Sequence, residues 1–251
     1  MMLLVDIGNT RIKWTITNEG VLSGQDALLH DLSFKNSAGR LAILDQQWAD
    51  FETPERVVIA NGAGPMLARH IEFWVKQHWL CPISYITTPK AECGVVNAYE
   101  RHQDLGIDRW LNLLASHHRI DGNVCVIDCG TAITVDAIKS NGEHLGGCIL
   151  PGLAMMRATL NQTGKIEIDD YDNNDLSSVN ASTKSAVYCG TLYAAIKAID
   201  AIVSDMKKEL GDDVSCVITG GDAEQILALL QQPTCYEQDW VFQGMLISVN
   251  Q

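Results

Sequence analysis

Apolar and polar positions near the start of the chain follow the pattern of a β-hairpin. An apolar run from Met2 to Val5 is followed by Asp6-Ile7-Gly8-Asn9-Thr10, and a second run extends from Ile12 to Thr17. This second run ends at the turn residues Asn18-Glu19-Gly20. Short apolar runs bounded by turn residues are typical of strands, so the segment predicts two strands joined by a glycine turn.

The same pattern returns in the second half of the chain. Val124 to Ile127 is apolar, Asp128-Cys129-Gly130-Thr131 follows, and another apolar run extends from Ala132 to Ile138. Both copies place an Asp directly after the first run and a Gly two residues later. Two copies half a chain apart indicate an internal duplication of one strand–turn–strand unit.

Helical patterns lie between and after these two units. Apolar residues at helical spacing predict helices over Met66 to Trp79, Arg109 to His118 and Ser182 to Met206, with Asp108 as a candidate N-cap of the second. A last strand is predicted from Val214 to Thr219, before a helical stretch from Gln225 to Leu230. Strands that alternate with helices predict an α/β fold, which the duplication divides into residues 1–120 and 121–251.

The charge and the cysteines restrict the class of protein. The 251 residues carry a formal net charge of -13, and nucleic acids and anionic membranes bind clustered Lys and Arg, so we expect neither as a partner. No basic segment precedes the first apolar run, and no uncharged run approaches the ~18 residues of a membrane span. Eight cysteines are scattered without a Cys-x-x-Cys pair. We therefore expect a cytoplasmic protein with buried, reduced thiols.

Two Asp-x-Gly hairpins suit the transfer of a phosphoryl group. Glycine lets the backbone approach phosphate oxygens, Thr hydroxyls and turn amides donate to them, and carboxylates hold the cations that neutralise the charge. Lys13 alternates with Ile12 and Trp14, so it is expected on the opposite face, where it could reach phosphate. The alternative is that Lys13 is simply solvated, as a single Lys on a strand usually is. The sequence has no P-loop, no Gly-x-Gly-x-x-Gly fingerprint and no Gly-x-Ser-x-Gly elbow.

Four motifs occur in an order that resembles the type III pantothenate kinase family, also called Bvg accessory factor homologues. They are Asp6-Ile7-Gly8-Asn9-Thr10, Leu105-Gly106-Ile107-Asp108-Arg109-Trp110, Asp128-Cys129-Gly130-Thr131-Ala132 and Gly147-Cys148-Ile149-Leu150-Pro151-Gly152. The resemblance implies an actin-like ATPase (ribonuclease H-like) fold, with the active site in the cleft between two duplicated halves. It also implies a homodimer that phosphorylates pantothenate to 4'-phosphopantothenate, with ATP, Mg²⁺ and a monovalent cation, K⁺ or NH₄⁺.

The resemblance also implies roles for individual residues. ATP would be bound by Thr131 and by the first hairpin, that is by Asp6, Ile7, Gly8, Asn9, Thr10, Arg11, Ile12 and Lys13. Asp128 would hold the monovalent cation. Pantothenate would contact Tyr99, Gly106, Ile107, Asp108 and Arg109, with Asp108 as the proton acceptor, and Thr183 of the partner subunit. Gly220-Gly221-Asp222 resembles the adenosine-side loop of the wider superfamily.

Structural alternatives exist for several of these residues. Asp108 as a plain N-cap, Arg109 in a surface ion pair and Tyr99 in the core would each need no substrate. Asp128 bound to turn amides would need no cation. Two other functions use the same features, namely a sugar or acetate kinase of the same fold and a non-catalytic, nucleotide-binding accessory protein.

Overall fold

The computed structural model describes residues 1–29, 44–163, 176–211, 213–232 and 234–250. They form two compact units. The first comprises Met1–Cys93, Arg101–Asn112 and Val241–Gln251, and the second comprises Gly94–Glu100 and Leu113–Trp240. These bounds differ from a simple division at residue 120, because residues 101–112 and the C-terminal segment belong to the first unit.

Polar contacts and close backbone packing explain this assignment of the C-terminal segment. The carboxylate of Glu92 accepts hydrogen bonds from Trp110 Nε1 at 3.0 Å and from Ser248 Oγ at 2.9 Å. A Cβ atom on Gly244 would lie 2.1 Å from the carbonyl oxygen of Leu111. Residues distant in sequence are thereby joined around one acidic side chain within the first unit.

The first unit contains a five-stranded sheet. Its strands are β1 (Met2–Ile7), β2 (Arg11–Asn18), β3 (Val21–Leu29), β4 (Arg56–Asn61) and β5 (Ile83–Ile86), in the order β3-β2-β1-β4-β5. Strand β2 is antiparallel to β1 and β3, whereas β4 is parallel to β1 and β5. Helix α1 (Pro65–His78) forms the crossover from β4 to β5.

The second unit contains a sheet with the same order. Its strands are β8 (Asn123–Cys129), β9 (Ala132–Ile138), β10 (His144–Pro151), β11 (Val214–Thr219) and β12 (Cys235–Tyr236), in the order β10-β9-β8-β11-β12. Strand β9 is antiparallel to β8 and β10, whereas β11 is parallel to β8 and β12, so the pairings repeat those of the first sheet element by element. The predicted duplication is confirmed.

The remaining elements connect or cover these sheets. They are β6 (Ala91–Glu92), β7 (Val95–Val96), a 3₁₀ turn (His102–Asp104), α2 (Ile107–Arg119), α3 (Leu153–Thr163), α4 (Thr183–Leu210), α5 (Ala223–Leu227) and α6 (Trp240–Val249).

The apolar face of each sheet is buried under helices. In the first unit Trp48 stacks on Trp79 at 5.5 Å and meets Trp14 and Trp74 edge to face, at 5.7 and 5.2 Å. In the second unit Ile127 and Val135 pack in one core cluster with Ile199 of α4. Both cores lie beneath the strands that carry the Asp-Gly hairpins, and thus support those turns from below.

Several predicted boundaries need correction. Strands β1 and β8 continue through Asp6 and Asp128, because backbone pairing does not stop at the first charged residue. The last predicted helix is α5, which begins at Ala223 rather than Gln225. The expectation of buried thiols is wrong for Cys148 and Cys235, which are exposed, although all eight cysteines are free.

Helix α4 is long and apolar enough to cross a membrane by length and composition. Half of its apolar window is buried inside the protein, where Leu192, Ile196 and Ile199 belong to the core cluster of the second unit. A helix that packs on a sheet buries an apolar face, so the core contacts account for the buried apolar residues of α4.

Candidate active site

The first hairpin presents a short polar turn above a buried strand end. Ile7 pairs with Ile12 across the hairpin, and Gly8 N donates to Arg11 O at 3.0 Å. Asn9 and Thr10, at the tip, are exposed. A Cβ atom on Gly8 would lie 3.2 Å from Arg11 O, so glycine suits this tight approach. The exposed amides and hydroxyl of such a turn can donate to an anion.

Asp6 and Lys13 occupy opposite positions in the register of β1 and β2. Residues directly opposite in an antiparallel pair project to the same face of the sheet. Asp6 is 8% exposed, while Lys13 is half-buried between the buried residues Ile12 and Trp14. The predicted alternation is confirmed, and the hairpin carries one carboxylate and one ammonium on the same face.

The turn of the second hairpin is one residue shorter than that of the first, and two glycines, Gly152 and Gly220, pack closely against it. Gly130 N donates to Ala132 O at 3.0 Å, and Thr131 at the tip is exposed. Gly152 N donates to Thr131 O at 3.1 Å, and a Cβ atom on Gly152 would lie 2.4 Å from the same oxygen. A Cβ atom on Gly220 would lie 2.4 Å from Cys129 O. Any larger side chain at either glycine would displace the turn.

Two carboxylates lie close to the base of this second hairpin. A Cβ atom on Gly220 would be 2.6 Å from Asp128 Oδ1, and Asp222 N donates to Cys129 O at 2.9 Å. Burial, followed by the charges of Asp128 and Asp222, raises the pKa of the Cys129 thiol far above its usual range. Asp128 and Asp222 thus concentrate negative charge beside a turn predicted to receive ATP phosphates.

Within the described ranges, no three His, Cys, Asp or Glu side chains are grouped to hold a metal ion. Asp128 and Asp222 are two carboxylates near the Cys129 carbonyl, and oxygen donors of this kind suit hard cations such as Mg²⁺ and K⁺. The donor set therefore fits a cation that is also coordinated by ligand oxygens, such as those of a phosphate.

Asp108 is exposed in the first turn of α2, which begins at Ile107. Its Oδ1 accepts a hydrogen bond from Arg109 N at 2.8 Å, and Trp110 N donates to Gly106 O at 3.0 Å. The alternative that made Asp108 the N-cap is wrong in position, because the residue lies inside the helix. A Cβ atom on Gly106 would lie 2.6 Å from Asp108 Oδ1, so glycine leaves room for this carboxylate.

Gly62 lies between the start of α2 and the end of β1. Its N–H donates to Ile7 O at 2.9 Å, and a Cβ atom on it would lie 3.9 Å from Ile107 Cγ2. Ile107 is buried, which anchors the first turn of the helix. The first unit therefore brings the segment Gly106–Arg109 close to the first hairpin, although the two are far apart in sequence.

Arg109 and Tyr99 do not match their structural alternatives. Arg109 is only 4% exposed, so the surface ion pair considered for it is wrong. Tyr99, in the second unit, is half-buried, and its ring lies parallel to that of His144 with centroids 6.2 Å apart. His144 and its partner Asp136 are residues that the sequence patterns did not single out.

Thr183 is the first residue of α4 and is exposed. Ser182 is the N-cap, and its Oγ accepts from Ser185 N at 3.2 Å. Ser is a strong N-cap residue, so Ser182 stabilises the start of the helix directly before Thr183. Thr183 lines an apolar groove of ≈ 910 Å³ with Met155, Leu160 and Pro151.

The predicted residues thus fall into two groups. The first unit holds the Asp6–Lys13 hairpin and the segment Gly106–Arg109. The second unit holds Tyr99, Asp128, Thr131 and Thr183. Gly152 touches Thr131 and follows Pro151 of the groove, so the second hairpin and the groove adjoin each other.

Comparison with known proteins supports the same family. A family model described as type III pantothenate kinase matches residues 2–205. A type III pantothenate kinase of Nitrosococcus oceani is 38% identical over 98% of this chain and 92% of that protein. Another, from Nitrosospira multiformis, is 33% identical over 98% of this chain and 90% of that protein.

Two solved structures show the fold. One, described as a Baf family transcriptional activator from Campylobacter jejuni, has a TM-score of 0.59 and 23% identity, and covers 99% of this chain and 98% of its own. The other is ethanolamine utilization protein EutJ from Carboxydothermus hydrogenoformans, with a TM-score of 0.55 and 15% identity. The match covers 98% of this chain and 89% of that chain. The predicted α/β class, with two duplicated actin-like halves, is confirmed.

Proposed function

The chain belongs to the type III pantothenate kinase family, and on this premise we propose that it phosphorylates pantothenate with ATP. The products are 4'-phosphopantothenate and ADP, in the first step of coenzyme A synthesis. One observation carries the proposal, namely that the family match spans both Asp-Gly hairpins and the exposed Asp108 together. We place the reaction in the cytoplasm, which holds the ATP supply.

The two hairpins are the proposed phosphate sites. The exposed tips at Asn9, Thr10 and Thr131 offer amides and hydroxyls to phosphate oxygens. Arg11 and Lys13 add positive charge on and beside the first tip, which opposes the net charge of -13. Catalysis of phosphoryl transfer depends mainly on positioning and on electrostatic stabilisation of this kind.

Asp108 is the proposed proton acceptor. The hydroxyl oxygen of pantothenate attacks the γ-phosphorus, its proton passes to the Asp108 carboxylate, and the bond to the β-phosphate oxygen breaks to release ADP. The hydrogen bond from Arg109 N engages Oδ1 and fixes the carboxylate, so Oδ2 is the proposed acceptor. A positioned base contributes roughly 10² to 10⁴ to such a rate.

Cations complete the proposed ATP site. Mg²⁺ is usually held through one or two carboxylates together with substrate phosphates, which agrees with a site that has few protein ligands. Asp128 is the proposed ligand of K⁺ or NH₄⁺, with Asp222 contributing to the same negative potential. When bound, these cations neutralise charge on the transferred phosphoryl group.

A homodimer is the proposed assembly, and the groove that includes Thr183 is its proposed interface. Met155 and Leu160 leave 45% and 40% of their surface exposed in the groove, although both are apolar. Exposed apolar patches of this kind mark interaction sites. Association through this groove would bring Thr183 towards a second copy, in agreement with the expected contact to the pantothenate of the partner subunit.

A direct test compares acceptors at equal concentration. We expect ATP consumption with pantothenate and none above background with acetate, glucose or mannose, and a product heavier than pantothenate by one phosphoryl group in mass spectrometry. Turnover with acetate or a hexose instead would support a different kinase of the same fold. Nucleotide binding without turnover of any acceptor would support a non-catalytic accessory protein.

A further inference from the structure

We propose that His144, held by Asp136, is a positioning residue that orients Tyr99 towards pantothenate. The inference rests on the proposed function, because the contact of Tyr99 with pantothenate is part of that function. All three residues lie in the second unit. His144 and Asp136 are 2% and 3% exposed, so they act on a substrate only through their neighbours.

Both ring nitrogens of His144 are engaged by groups with defined roles. Ala98 N lies 3.4 Å from Nδ1, and Nε2 lies 3.0 Å from Asp136 Oδ1. A backbone N–H only donates, so Nδ1 accepts and carries no proton. Nε2 therefore carries the proton and donates it to the Asp136 carboxylate. These two bonds fix the tautomer and the plane of the imidazole.

The imidazole extends a row of backbone hydrogen bonds that holds the segment before Tyr99. Val96 N donates to Gly142 O at 2.9 Å, and two residues later Ala98 N donates to His144 Nδ1. Tyr99 N then donates to Asn97 Oδ1 at 2.9 Å. The side chain of His144 thus takes the place of a carbonyl acceptor and determines where the chain turns into Tyr99.

The ring of His144 also supports the ring of Tyr99 directly. The two planes are inclined by 14°, with centroids 6.2 Å apart. Offset parallel rings at this distance attract each other and restrict rotation. Tyr99 is only half-buried, so one part of it is supported by His144 while the rest remains accessible to a ligand.

Local sequence explains why His144 and Asp136 meet. The register of β9 and β10 shifts between His144 and Gly146, where Gly146 has φ 113°. This bulge keeps His144 on the same face of the sheet as Asp136. Gly147 lies opposite Asp136, and a Cβ atom there would be 2.3 Å from Asp136 Oδ1. The sequence His144-Leu145-Gly146-Gly147 therefore makes room for a buried carboxylate beneath the histidine.

The test is steady-state kinetics of a double-mutant cycle with His144→Asn and Tyr99→Ala. We expect His144→Asn to raise the KM for pantothenate roughly 3- to 10-fold, with kcat and the KM for ATP within a factor of two or so. In the Tyr99→Ala background the same substitution should have no further effect on that KM, because His144 acts through Tyr99. Equal effects in both backgrounds would overturn the proposal.

Two further variants keep the outcome interpretable. Asp136→Asn retains an oxygen that accepts the Nε2 proton, so we expect it to keep a pantothenate KM close to that of the unmodified chain, whereas Asp136→Ala should behave like His144→Asn. If His144→Asn does not fold, Asp136→Ala replaces it in the cycle with Tyr99→Ala. A pantothenate KM for Asp136→Ala equal to that of Asp136→Asn would overturn the proposal.

His78→Asn is the matched control. His78 also pairs with an Asp, at 3.1 Å from Asp45, and stacks on an aromatic ring, Trp74, at 4.3 Å. We expect no change in the pantothenate KM from this substitution, and an equal rise would indicate a general structural effect and overturn the proposal. If the unmodified chain does not turn over pantothenate, the proposed function fails first and this inference fails with it. If the chain turns over pantothenate but the effects of His144→Asn and Tyr99→Ala on the KM are additive, only this inference is wrong.

Discussion

The carboxylate of Asp108 accepts a hydrogen bond from the backbone N–H of Arg109 at 2.8 Å, inside the first turn of α2. Backbone N–H groups in the first turn of a helix lie ahead of the first intrahelical carbonyl acceptors, so this bond to Asp108 stabilises the helix start while Asp108 is also the proposed base. An amide at this position still accepts the same hydrogen bond but does not accept a proton. Substitution by Asn therefore separates the two roles.

We predict that Asp108→Asn lowers kcat by roughly 10² to 10⁴, with ATP affinity and melting temperature nearly unchanged. Asp104→Asn is the control, because Asp104 lies four residues away in an exposed ion pair with Arg101 at 2.7 Å. Rapid-quench kinetics, calorimetric ATP titration and thermal denaturation measure kcat, ATP affinity and melting temperature in turn. An Asp108→Asn variant with ordinary kcat would leave Asp108 as a helix-stabilising residue only.

Asp128 is the basis of a prediction about monovalent cations. We expect turnover in K⁺ or NH₄⁺ to exceed turnover in Na⁺ at least about 10-fold at matched ionic strength, because a large monovalent ion would offset the charges of Asp128 and Asp222. Asp128→Asn keeps an acceptor for turn amides and loses the charge, so it should be slow in all three salts. Equal rates for the unmodified chain in the three salts would contradict the cation site.

The apolar groove leads to a prediction about assembly. Met155→Glu places a charge in the groove on a residue that is 45% exposed in the single chain, so we expect it to weaken the dimer roughly 100-fold without unfolding the subunit. The pantothenate KM should rise in parallel, because Thr183 then leaves the pocket of the partner subunit. Sedimentation velocity and kinetics measure these effects.

The same substitution elsewhere provides the control for the groove. Met66, which is 59% exposed on α1, tolerates Met66→Glu with no expected change in assembly. A fully active monomer of Met155→Glu would show that the groove serves another purpose. Dissociation of the dimer by Met66→Glu would indicate that the interface includes α1 instead of the groove.

His117 predicts how stability depends on pH. Burial, and then the charge of His118, lowers the pKa of His117 below its usual range. The folded state therefore disfavours the charged form, so stability is complete above the unfolded pKa of about 6.5 and falls as pH drops through that value. We expect the free energy of unfolding to decline as pH falls from about 7.5 to 5.5, and the decline to be smaller in the His117→Gln variant.

His118→Gln is the comparison for this pH effect. His118 is exposed, with its ring 5.3 Å from that of His117. Because burial is the larger cause of the pKa shift, His118→Gln should retain most of the decline with pH. Denaturant titrations across the pH range measure the free energy of unfolding. If its dependence on pH disappears in His118→Gln, the effect comes from the charge of His118 instead.

The sequence by itself determined the repeated elements and their class. Alternation and apolar runs specify which face of a strand is buried, so β2, β9 and β11 were predicted within a residue or so of their observed bounds. Asp6-x-Gly8 and Asp128-x-Gly130 were identified as equivalent turns because glycine and aspartate have local conformational preferences. Such preferences act over a few residues and therefore remain visible in sequence.

Only the tertiary structure decided the contacts between distant residues. The pairing of His144 with Asp136, the position of Gly62 between Ile7 and Ile107, and the C-terminal helix in the first unit depend on sheet register and packing. A one-residue bulge at Gly146 determines whether His144 meets Asp136, and hydrophobic periodicity carries no signal for it. These contacts depend on the summed packing of many side chains, so no local pattern of residue types contains them.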